Sequence, residues 1–258
     1  MPINDIDMTG RTALVTGASK GIGEAAARRV AQAGGNVVLL ARSADAIERI
    51  AAEIGERALA AAGDVADYAS VERAVNAAVE RFGALDVLVN NAGLIDPVAR
   101  IAESDPAAWG TVVDVNLKGV YHGLRAALPH MLERGAGVVV NISSGAATGA
   151  LEGWSHYCAT KAAVLSLTRC THKEYAEHGI RVVGLSPGTV ATDMQRSIKD
   201  SGVNPVSRLD WDAHIPPEWV GEAIAWLASE AARDHEAVTW GQDFSLKTPE
   251  GRAAVGLG

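Results

Sequence analysis

Short apolar runs alternate along this chain with longer segments whose apolar residues recur at helical spacing. Thr12 to Thr16, Asn36 to Ala41, Arg57 to Ala61 and Asp86 to Asn90 have strand length and composition. Between the last two, Val71, Ala74, Val75, Ala78, Val79 and Phe82 mark one buried helix face. A helix from Ile22 to Ala33, stopped by Gly34-Gly35, joins the first two strands. This alternation predicts parallel βαβ winding, an α/β fold built on a doubly wound parallel sheet of about seven strands with helices on both faces.

The rhythm continues through the second half. A helical stretch from Pro106 to Arg134 precedes a fifth strand, Val138 to Ser143, and another from Trp154 to Glu177 precedes a sixth, Arg181 to Leu185. Glu218 to Ala231 is expected to be helical, and Val238 to Leu246 to be the last strand. Residues 192–217 have weak periodicity and three prolines, which suits a lid over a site better than a linker. Residues 247–258 read as a polar tail. At 258 residues a single domain spanning 1–258 is expected.

Composition narrows the function. With 48% apolar and 21% charged residues the chain is ordinary globular protein, and a net charge of -8 argues against a nucleic-acid groove. No apolar run approaches a membrane span, and the seven histidines have no metal-ligand spacing. Neither a membrane partner nor a metal is expected. Cys158 and Cys170 fall in one predicted helix, about 18 Å apart, and cannot pair with each other. The first apolar stretch, Thr12 to Val15, lacks a charged n-region and cleavage site, so a reducing, cytoplasmic setting is expected.

Thr16-Gly17-Ala18-Ser19-Lys20-Gly21-Ile22-Gly23 lies between the first strand and first helix. Glycines there let backbone approach a pyrophosphate, whose charge suits free N–H groups at a helix N-terminus. A ligand-free glycine turn would carry the same residues. The second strand ends in Ala41-Arg42, where an acidic residue would take the ribose 2′-OH of NAD. Arg42 with Lys20 could instead fork a 2′-phosphate, so NADP(H) is preferred over NAD(H), although solvent is the commoner fate of either cation.

Tyr157 and Lys161 stand at i and i+4 of a predicted helix, about 6 Å apart along its axis. Carbonyl reduction needs a proton donor beside the hydride donor, and an ammonium close to a phenol favours tyrosinate. A buried tyrosine beside a snorkelling lysine is the blander alternative. Trp154 and Met194 are candidates for an apolar substrate wall or simply for core. His156, adjacent to Tyr157, points about 100° away and is read as a bystander.

From about Arg11 to Leu246 these residues resemble the short-chain dehydrogenases/reductases, single-domain Rossmann proteins. Thr16 to Gly23 matches the TGxxxGxG turn, Asn90-Asn91-Ala92-Gly93 the NNAG segment, and Tyr157 with Lys161 the YxxxK motif. The resemblance implies a catalytic serine thirteen residues before the tyrosine, at Ser144, with Ser143 the neighbouring alternative. It implies that Asn116 holds a water in a proton relay and that Ser144 bonds the substrate oxygen. Tyr157 would donate the proton, and Lys161 would orient the cofactor ribose. It further implies cofactor contacts at Gly17, Ser19, Lys20, Gly21, Ile22, Gly23, Arg42, Asp64, Val65, Asn90, Ala92, Gly93, Pro187, Gly188 and Thr192, besides Tyr157 and Lys161.

The implied activity is an oxidoreductase interconverting a small-molecule carbonyl and a secondary alcohol, in a homo-oligomer (tetramer or dimer) joined through the two long helices. Thr192-Asp193-Met194-Gln195 is similar to the sepiapterin and benzil reductase-like members. Many relatives end their last strand in apolar-Asp-Gly-Gly, whereas Gly241 to Lys247 here lacks the glycine pair. Alternatives are an NAD-dependent alcohol dehydrogenase of the same fold, an epimerase or dehydratase, and a nonenzymatic nucleotide-binding sensor or scaffold. An epimerase or dehydratase would need a further C-terminal domain, and a sensor would be expected to have lost Tyr157, Lys161 or Ser144.

Overall fold

A computed structural model describes residues 6–257. Strands β1 (Thr12–Thr16), β2 (Asn36–Ala41), β3 (Ala58–Ala62), β4 (Val87–Asn90), β5 (Gly137–Ile142), β6 (Ile180–Ser186) and β7 (Asp243–Ser245) form one parallel sheet in the order β3-β2-β1-β4-β5-β6-β7. The apolar runs are continuous because helices cover both faces of the sheet. Successive side chains enter opposite cores: Ala13, Val15, Val37 and Leu39 on one face, Leu14, Val38 and Leu40 on the other.

The helices are α1 (Gly21–Gln32), α2 (Ala44–Ile54), α3 (Tyr68–Phe82), α4 (Pro106–Val113), α5 (Gly119–Arg134), α6 (Ser155–Tyr175), α7 (Asp193–Ser201), α8 (Pro217–Ala228) and α9 (Pro249–Ala254). Helices α1 and α8 pack together on the first core, while α3 and α5 close the second. The path runs from β1 to β3 along one edge and then returns to β4 on the other side of β1. That reversal opens a crevice above the carboxyl ends of β1 and β4, the position at which open α/β sheets bind ligands.

Four segments depart from expectation. The helix expected from Pro106 to Arg134 is broken into α4 and α5 by a π-turn over Asp114–Lys118. β7 is shorter than expected, since residues before it turn through Gly241 at φ +83°. Within 192–217 the chain forms α7 and two short 3-10 turns, Pro205–Arg208 and Trp211–Ala213. The polar tail contains α9, capped where Thr248 Oγ1 accepts from Gly251 N at 3.0 Å, with Val255 fully buried behind it. None of the described helices is long and apolar enough to cross a membrane.

Candidate active site

The crevice is a cleft of about 940 Å³. Its floor begins at the turn after β1, where Gly17 (φ +66°) and Gly21 (φ +57°) take conformations that favour glycine. A Cβ on Gly17 would stand 2.9 Å from Ala92 Cα, so this turn and the loop after β4 share one close approach. Thr16 Oγ1 accepts from Asn91 N at 2.9 Å and Ala92 N at 3.0 Å, and Asn91 Nδ2 donates to Thr16 O at 2.8 Å. Lys20 precedes α1 without a side-chain cap, which leaves first-turn N–H groups facing the cleft as donors for a phosphate. Backbone and turn together fit the pyrophosphate of a dinucleotide.

Ser19, Lys20, Gly21 and Ile22 line this end, as do Ala92 and Gly93. Two expected cofactor residues do not. Gly23 lies beneath the turn, where a Cβ would collide with Gly17 O, so its role is packing. Asn90 is buried behind the cleft, its Nδ2 donating to Asn141 Oδ1 at 2.8 Å. Asn91, part of the matched segment but not among the expected cofactor contacts, is the member of the pair that reaches the turn; the neighbouring side chains of a strand end point to opposite faces.

Arg42 is exposed on the rim and, among the described residues, forms no ion pair or side-chain hydrogen bond. Lys20 is committed differently from expectation: its Nζ donates to Asp193 Oδ2 at 2.8 Å across the cleft. Asp64, after β3, accepts from Ala66 N at 2.9 Å through Oδ1, and Val65 packs against Gly119. On the opposite wall Pro187, Gly188 (φ +85°) and Thr192, the residue preceding α7, face inward.

At the carboxyl end of β5 the two serines part. Ser143 Oγ donates to Asp243 Oδ2 at 2.7 Å, turned toward β7. Ser144 stands beside Tyr157, where its hydroxyl favours the phenolate, and accepts from Ala146 N at 3.2 Å. Helix α6 places Lys161 beneath Tyr157, with Nζ 5.6 Å from the ring centroid and donating to Ile142 O at 2.6 Å. The structure thus brings Ser144, Tyr157 and Lys161 together. Asn116, from the π-turn, stands outside the cleft wall: it accepts from Leu94 N at 2.7 Å and donates to Leu94 O at 2.9 Å. Its side-chain amide clamps the loop after β4.

Burial dominates the electrostatics. It pushes the Tyr157 phenol up to about 12, opposed by the Ser144 hydroxyl, and pulls the Lys161 ammonium down to about 8, opposed by the Asp243 charge. Lys161 is not among the groups that shift Tyr157, so the expected lowering by its ammonium is not seen in the protein alone. Asp243, raised by its own burial, stands within the strand expected over Val238 to Leu246; an acid inside such a strand was the available signal. His156 is buried, with Nε2 2.6 Å from Ile95 O, and supports the wall.

The remaining wall is apolar. Trp154 meets Tyr157 edge-on at 5.6 Å, and Ile95, Ile198, Met194 and Val206 pack around the pair. A ketone carbon and its apolar substituents would be dry here while the oxygen met two hydroxyls.

Comparison with known proteins gives a consistent result. The family model for short chain dehydrogenases matches residues 11–202. The cis-4-hydroxycyclohexanecarboxylate dehydrogenase of Sinomonas cyclohexanicum is 41% identical over 225 residues, covering 86% of this chain and 90% of that protein. The 2-(R)-hydroxypropyl-CoM dehydrogenase of Xanthobacter autotrophicus is 40% identical over 234 residues, covering 86% and 92%. The crystal structure of a 3-ketoacyl-(acyl-carrier-protein) reductase from Brucella melitensis, complexed with NADH, matches with a TM-score of 0.82 and 36% identity over 93% of this chain and 98% of that one.

Proposed function

The chain belongs to the short-chain dehydrogenases/reductases, and from that premise we propose that it interconverts a ketone and its secondary alcohol using NADP(H), with Tyr157 as general acid/base. The observation that carries the proposal is the placement of Ser144 and Tyr157 together in the cleft above buried Lys161, facing an apolar wall. The nicotinamide cofactor supplies or accepts the hydride. Ser144 donates to the substrate oxygen and holds the carbonyl within reach of Tyr157. Tyr157 is protonated at neutral pH and gives up that proton as the oxygen gains charge. Lys161, fixed by Ile142 O, places a positive charge behind the phenol and favours the tyrosinate that results.

Asn116 acts in this proposal as a positioning residue, fixing through Leu94 the loop that forms the cofactor floor. Preference for NADP(H) is supported by Ala41-Arg42 at the end of β2, where a free guanidinium stands in place of an acid. Use of NAD(H) is a second reading, favoured by the Asp193 carboxylate that holds Lys20 away from Arg42. The ratio of kcat/KM for NADPH over NADH decides between them: well above one supports the first, below one the second. Assaying diketones, ketosteroids, 3-oxoacyl thioesters and pterins by nicotinamide absorbance tests the activity itself; failure to turn over any carbonyl would overturn it.

The segment 192–217 serves as the lid on the substrate side, contributing Met194 and Ile198 to the wall. We further propose a homo-oligomer, dimer or tetramer, through the outer faces of α5 and α6. Exposed Tyr121 and the small exposed side chains Ala159, Ala162 and Ser166 suit close helix packing. A reducing, cytoplasmic setting is supported by the unpaired Cys158 and Cys170 on α6.

A further inference from the structure

Lys247 follows β7 and lines the cleft on the side of the reacting hydroxyls. Its stem crosses Gly188, where a Cβ would stand 3.1 Å from Lys247 Cγ. Its ammonium ends beside Gly145, 3.4 Å from where a Cβ on that residue would be. Gly145 immediately follows Ser144, so a positive charge is held next to the group proposed to bind the substrate oxygen.

The other cations of this end are already engaged. Lys20 and Arg196 both pair with Asp193, at 2.8 and 2.7 Å, and Lys161 is bound to Ile142 O. Lys247 Nζ, among the described residues, has no carboxylate within 4.0 Å and no side-chain hydrogen bond. The remaining cleft carboxylates belong to other places: Asp64 to the end of β3 and Asp96 to the loop after β4. Lys247 is exposed and lines the same cleft as Trp154, Ile95 and Met194, so its ammonium complements a ligand that offers both an apolar body and an anion.

We propose that Lys247 is an anion-recognition point and that the substrate is an oxo acid, or the corresponding hydroxy acid. Its carboxylate meets Lys247 while its carbonyl meets Ser144 and Tyr157, and the apolar spacer between them lies on Trp154 and Met194. The proposal rests on the ketone–alcohol reading given above and adds the substrate's charge. Lys247 neither receives the hydride nor moves the proton; it selects which ketone is held.

The test uses two pairs of probes on the full chain saturated with its nucleotide. Calorimetry compares cyclohexanecarboxylate with cyclohexanecarboxamide, and turnover compares 4-oxocyclohexanecarboxylate with its ethyl ester. The unmodified protein should favour the acid in both pairs by about tenfold or more, as a charge-assisted hydrogen bond provides. Lys247→Met should bring both ratios toward one, and Lys247→Arg should retain them. Equal handling of acid and neutral probe by the unmodified protein, or a preference that survives Lys247→Met, overturns the proposal. So does a loss of nucleotide affinity in Lys247→Met with the acid preference intact, which would assign the ammonium to the cofactor. The ketone–alcohol reading fails in a distinct way: neither ketone is turned over, while the calorimetric ratio still reports on Lys247.

Discussion

At the scale of single residues, chemistry here is set by what burial does to two groups of opposite charge type. Tyr157 is driven toward its neutral form and Lys161 toward loss of its proton, and Asp243 and the Ser144 hydroxyl each oppose one of these shifts. For Lys161 the sign of the stability effect follows directly. Its folded value of about 8 lies below the ordinary 10.5, so from pH 8 to 10.5 the unfolded chain holds a proton that the folded chain has released. Stability contributed by this group should therefore rise across that window, having been reduced below it. Chemical denaturation without nucleotide at pH 7 and pH 10 should show unmodified protein gaining relative to Lys161→Met by on the order of 3 kcal/mol; a flat difference would mean that the ammonium is not desolvated. Arg42 makes a second residue-scale prediction. Arg42→Ala should weaken NADPH by about tenfold or more and NADH far less, measured by fluorescence titration, whereas equal weakening would detach Arg42 from a 2′-phosphate. Tyr157 and Lys161 were legible in the sequence because helix periodicity puts them on one face, whereas Ser144 was singled out only by the family resemblance, with Ser143 beside it. Asn91, Asp243 and Lys247 were not, since each owes its place to a neighbour distant in the chain: the β1 turn, β5, and the loops after β5 and β6.

At the scale of elements, the site depends on how closely backbone segments can approach. The β1 turn, the first turn of α1 and the loop after β4 are sewn together by Thr16 and Asn91, with Gly23 allowing the contact from below. Gly23→Ala should therefore lift the turn from Asn91, raising the Kd for nucleotide by about tenfold or more while the sheet remains folded; unchanged affinity with unchanged stability would show that the turn has room to spare. Strand and helix positions in the first half of the chain were readable from apolar periodicity. The π-turn was not, because one inserted residue leaves the apolar spacing of a long helix nearly intact, yet it is what brings the Asn116 amide to Leu94. Helix α9 was hidden for a different reason: it is only six residues long, too short to show a period, and its signals are the Thr248 cap and Pro249 at its first position.

At the scale of the whole molecule, the reversal of chain path at β1 collects the ends of the strands around one cleft, with phosphate-type donors on one side and hydroxyls and an apolar wall on the other. The sheet was legible as a fold class because parallel strands buried on both faces read as uninterrupted apolar runs. The cleft was legible only through motifs whose members lie far apart in sequence. Assembly belongs to this scale too: analytical ultracentrifugation should give two or four times the mass of one chain, and a monomer at micromolar concentration would remove α5 and α6 as an interface. The central claim is that this cleft binds a nicotinamide nucleotide and that Tyr157 manages the substrate proton within it. Its most direct test is Tyr157→Phe, assayed for nucleotide binding and carbonyl turnover on the same preparation. The account predicts near-normal nucleotide affinity with turnover reduced by about 10² to 10⁴. Turnover that survives the loss of that single hydroxyl would contradict it.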